Sequence, residues 1–66
     1  MAIESDLAEL SSVTALLEEL GRRLADVADR HSGVEGSSVA NDLHQAERGV
    51  IGARRAIDRA VRSLSR

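Results

Sequence analysis

The sequence predicts an all-α protein: two long amphipathic helices that fold back on each other as an antiparallel hairpin. Three observations carry this. Apolar residues recur at gaps of three and four in both halves of the chain, which is the helical period and not the alternation of a strand. One break separates the halves, "HSGVEGSS" at residues 31–38, whose glycines and serines are turn chemistry. No proline interrupts either side. The expected layout is a single domain over residues 1–66, with helix 1 at about 3–31, a turn at about 32–37 and helix 2 at about 38–65.

Helix 1 follows from Ile3, Leu7, Leu10, Val13, Leu17, Leu20, Leu24 and Val27, with Leu16 widening the stripe. Gly33 is the candidate left-handed residue beyond its end, with Val34 packing back on the last turn. Ser37 or Ser38 is the candidate cap of helix 2, and Asp42 near its first turn suits the positive end of the helix dipole.

Helix 2 is more regular. Val39, Leu43, Ala46, Val50, Ala53, Ile57, Ala60 and Leu64 alternate gaps of four and three, a heptad seam. Leu43, Val50, Ile57 and Leu64 are its large members, and Ala46, Ala53 and Ala60 its small ones. Gly49, Ala56 and Ser63 extend the small surface sideways into a trough. A glycine inside a helix costs roughly 1 kcal/mol relative to alanine, so Gly49 and Gly52 call for a reason. Close approach of helix 1 supplies one: the ridge Leu10, Val13, Leu17, Leu20, Leu24, Val27 is expected to fill a trough that includes Ala46, Gly49, Ala53, Ala56 and Ala60.

Such helices are about 40 Å long at 1.5 Å per residue, and a short turn makes them antiparallel. Charge agrees. Residues 1–19 hold Glu4, Asp6, Glu9, Glu18 and Glu19 with no base, while residues 48–66 hold Arg48, Arg54, Arg55, Arg59, Arg62 and Arg66 against Asp58 alone. Folding back sets the acidic stretch 4–9 beside the basic stretch 59–66, although exposed pairs contribute less than about 1 kcal/mol each.

A chain of 66 residues buries too little surface to be comfortably stable alone, and small folds add disulfides, a metal or a partner. There is no cysteine, which excludes disulfides and thiolate-bound zinc. Leu7, Leu16, Leu20 and Val61 exceed what one facing helix covers. Two hairpins closing into a four-helix bundle would bury them. A homodimer is therefore expected, or a pairing with another helical protein.

Functional constellations are few. Arg48, Arg55 and Arg62 recur at sevens, with Arg59 and Arg66 beside them, as an outward row that could meet an acidic partner or phosphates. The bland account is a solvated face with helical-spacing pairs such as Arg54 to Asp58 and Asp58 to Arg62. Net charge is −2, lysine is absent and there are no aromatic residues to stack on bases, so nucleic acid ranks below a protein partner. The all-arginine basic set matches the coding bias of a GC-rich genome.

His31 and His44 are the only histidines and lie across the turn from each other. No pair of ligands at helical spacing accompanies either one, so no metal is expected. Glu18 and Glu19 read as neighbours on a solvated face. Neither a Gly-x-Ser-x-Gly elbow nor a Gly-rich phosphate loop is present. No enzyme activity, cofactor or small-molecule substrate is expected. The acidic start "MAIESDLAEL" lacks the basic segment of a secretory signal, and no apolar stretch reaches bilayer length. The expected location is cytoplasmic, with secretion independent of a signal peptide as the alternative.

An Ala-, Leu- and Arg-rich hairpin with a glycine turn resembles the small helical-hairpin substrates of type VII secretion. That resemblance spans both helices in architecture and composition, and implies a partner hairpin. The Trp-x-Gly turn and the Tyr-x-x-x-acid signal of those proteins are missing, because the chain has neither Trp nor Tyr. The reading that follows from the residues is a non-enzymatic interaction or assembly module that self-associates through its helices. Its rivals are a type VII-like hairpin working with a partner, and a nucleic-acid accessory protein using the arginine row.

Overall fold

A computed structural model describes residues 2–33 and 38–66 of the chain. Two helices, α1 over Ala2–His31 and α2 over Val39–Leu64, pack against each other in a body of 53 × 15 × 10 Å. No strand occurs among the described residues, and no helix among them is long and apolar enough to cross a membrane.

Both ends of α1 suit its dipole, with Glu4 in the first turn and Arg30 and His31 in the last. Gly33 stops the helix in the left-handed region at φ 81°. Just before it, Ser32 donates its backbone N–H to the Asp29 carbonyl (3.3 Å) and its hydroxyl to the Ala28 carbonyl (3.2 Å). Two carbonyls left over by the helix end are thereby satisfied. A Cβ built on Gly33 meets nothing within 4 Å, so the cost of a side chain there is purely conformational. Gly33→Ala is expected to lower stability by about 1 kcal/mol. Thermal unfolding followed by circular dichroism reads this; an unchanged midpoint would show that the left-handed turn is not required.

At the start of α2 the hydroxyl cap expected of Ser38 is absent. Its side chain makes no capping hydrogen bond, and its backbone (φ −96°, ψ −2°) is near-helical rather than extended. The usual capping geometry needs the extended conformation to aim the hydroxyl at the first amides. Instead the Ser38 carbonyl accepts from the Asp42 N–H at 3.0 Å. Val34, expected to pack on the last turn of α1, and Ser37, the other candidate cap, lie outside the described residues.

The seam between the helices differs from the one the spacing suggested. On α1 the positions turned toward α2 are Leu7, Leu10, Thr14, Leu17, Gly21, Leu24, Ala28 and His31, all half-buried except the fully buried Ala28. On α2 they are Ala40, Leu43, Glu47, Val50, Arg54, Ile57, Val61 and Leu64, all half-buried. Gaps alternate three and four in both sets, so each is an a/d heptad seam. Leu10, Leu17, Leu24, Leu43, Val50, Ile57 and Leu64 keep their expected inward places, and Leu7 and Val61 belong to the same seam rather than to a surplus face.

The ridge-into-trough packing within the hairpin needs correction. Ala46, Gly49, Ala53, Ala56 and Ala60 are exposed, and Cβ atoms built on Gly49 or Gly52 would meet nothing within 4 Å. Leu20 is also exposed, and Val13 and Val27 are half-buried flanks. Small residues of α1 receive large ones of α2 instead: the Cβ position of Gly21 lies 3.7 Å from Val50 Cγ1. Continuing that antiparallel register sets Ala28 level with Leu43. Spacing alone selected the most apolar pair of columns, d with g. The hairpin closes on a and d, because its a columns supply the gaps (Gly21, Ala28) and the link between Glu18 and Arg54 described below.

Candidate interaction surface

Antiparallel packing on a and d leaves two broad faces. One gathers the e columns. Ser11, Glu18 and Ala25 of α1 lie there with Ile51, Asp58 and Ser65 of α2, and two shallow grooves open on it. Across this face the Arg54 guanidinium donates to Glu18 Oε1 at 3.1 Å. Among the described residues this is the one ion pair that joins the helices. It replaces the expected pairing of Arg54 with Asp58 and lifts Glu18 out of the solvated pair it forms in sequence with Glu19. Glu19 pairs with Arg22 at 2.6 Å within α1. Arg54 Nε is buried without a hydrogen-bond partner, so the guanidinium is held partly by packing. The oppositely charged ends, 4–9 and 59–66, share a pole of the hairpin without a direct ion pair among the described residues.

The arginine row, Arg48, Arg55, Arg59, Arg62 and Arg66, is exposed along α2. His31 is half-buried at the end of the α1 seam, whereas His44 is exposed and lies 3.0 Å from Glu47 Oε1 through Nδ1. No group of three or more His, Cys, Asp or Glu among the described residues is placed to hold a metal ion. The grooves are open troughs between side chains.

The opposite face is apolar. Helical geometry puts the g columns there: Val13, Leu20 and Val27 from α1, and Ala46, Ala53 and Ala60 from α2. Leu16 stands beside the first set, and Gly49 and Ala56 beside the second. Leu16 is 63% exposed and Leu20 46%. Comparison with protein-family models, with curated proteins and with solved structures finds no match to this chain. The surface must therefore be read from its own chemistry. Sequence reasoning packed the ridge and the trough against each other inside one hairpin, and counted Leu16 and Leu20 among the apolar residues that a single facing helix leaves over. It missed the Glu18–Arg54 link, whose only signal was opposite charge at matching heights of an antiparallel pair.

Proposed function

We propose that the protein is a non-catalytic assembly module, a helical hairpin that self-associates into an antiparallel four-helix bundle. One observation carries the reading: the hairpin is too thin to enclose its apolar residues. Among the described residues Ala28 alone is fully buried, while Ile3, Leu16, Leu20, Val39 and Ile51 are exposed. The chain presents 4957 Å² to solvent, whereas a compact monomer of its 7.1 kDa mass presents about 4,100 Å² by the usual scaling. The excess is close to the roughly 800 Å² that each partner contributes to a standard stable interface.

Light scattering coupled to size exclusion at micromolar concentration should give twice the 7.1 kDa chain mass, with refractive index as the detector because the chain has no Trp or Tyr. A helical monomer would overturn self-association and leave the partner-hairpin reading in its place.

A further inference from the structure

Building on that reading, we infer that the second copy docks on the apolar g face, related by a two-fold axis parallel to the helices. The face carries two unlike halves side by side. A ridge on α1 ends in the exposed Leu16 and Leu20, and α2 offers a floor of Gly49, Ala53 and Ala56 whose side chains fill almost nothing. A surface holding both a shape and its complement is self-complementary under a two-fold rotation.

The direction of the axis follows from which halves meet. An axis across the helices would stack ridge on ridge and floor on floor, one overfilled and the other empty. With the axis along the helices, α1 of each copy lies over α2 of the other, antiparallel to it. Such a rotation leaves heights unchanged, so the register between copies equals that within the hairpin. There Gly21 meets Val50 at 3.7 Å and Glu18 meets Arg54 at 3.1 Å. Leu20 is then level with Ile51, between Gly49 and Ala53 of the partner copy. Leu16 is level with Arg55, between Ala53 and Ala56.

The two most protruding leucines of the face thus arrive at its emptiest stretch. Charge agrees, since the acidic 4–9 end of α1 comes beside the basic 59–66 end of the other copy's α2 as well as its own. The d columns then serve two seams at once, a with d inside each hairpin and d with g between hairpins, as a four-helix bundle requires.

The absence of cysteine gives a clean test. Leu20→Cys and Ala53→Cys are each made as single variants; both positions are exposed in the hairpin, so the fold is kept. Mixed and oxidised, the two chains should form a covalent heterodimer at least tenfold faster than either forms a homodimer. Faster linkage within Leu20→Cys alone would mean ridge on ridge and would overturn the inference. In a second arm, Leu16→Gln with Leu20→Gln should weaken dimerisation at least tenfold. Ile51→Gln, on the opposite face, should leave it unchanged. A dimer that resists the first change and yields to the second uses the other face, so the inference fails while self-association stands. A monomeric parent chain removes the underlying reading instead.

Discussion

Replacing Ala28 with leucine is expected to produce a large loss of stability. Ala28 is 0% exposed and sits where α1 and α2 leave the turn, level with Leu43 by register. Its methyl is fully enclosed, and leucine would add three carbons there. Overpacking of this kind costs typically 1–3 kcal/mol. A chain of this length has about 3–10 kcal/mol of folding stability in all, so the variant loses a sizeable part of it. At about 4–8 °C per kcal/mol for small domains, the melting temperature should fall by roughly 5–20 °C. Ala8→Leu, the same change at an exposed α1 position, should stay within about 0.5 kcal/mol. Equal midpoints for the two variants would mean that the helices do not close at Ala28.

The second expected result contrasts two isoleucines of α2. Ile57 occupies the seam and is half-buried, while Ile51 is 44% exposed and lines one of the shallow grooves. Truncating a core isoleucine to alanine costs about 2–5 kcal/mol; a half-buried one belongs at the low end, so Ile57→Ala should cost about 2 kcal/mol. Ile51→Ala removes little packing and gains helix propensity, and should cost well under about 1 kcal/mol. Urea unfolding of the two variants at one protein concentration separates them through their midpoints. Were Ile51→Ala the more damaging, α2 would be rotated from the orientation described.

How much of this could be read in the residues alone is clear at particular positions. The three-and-four spacing and the "HSGVEGSS" break located both helices, and Gly33 does occupy the left-handed region. The d columns were legible because Leu17, Leu24, Val50 and Ile57 are large at every step. Their partner columns were not. Glu47 and Arg54 look like surface residues, and nothing in a single helix indicates that Arg54 will meet Glu18 across the seam. Alanines 46, 53 and 60 look like core. Periodicity reports which side of a helix is most apolar, and that direction points to the middle of the g and d columns. It does not report which neighbour lies on which flank. The residues expected to form the trough are exposed in the hairpin and do not receive α1.

The location of Ala28, the one fully enclosed residue among those described, bears on how the molecule closes. Ala28 lies in the last turn of α1, so its layer with Leu43 joins positions only 15 residues apart (43 − 28). The layer at the far pole, Leu7 with Leu64 by register, spans almost the whole chain. Forming it first would cost about 1.2 kcal/mol more in loop entropy, at about 0.6 kcal/mol per doubling of loop length. Closure is therefore expected to run from the turn outward, each layer shortening the loop for the next. The same order in reverse makes the far pole, where the acidic and basic stretches meet, the first part to open.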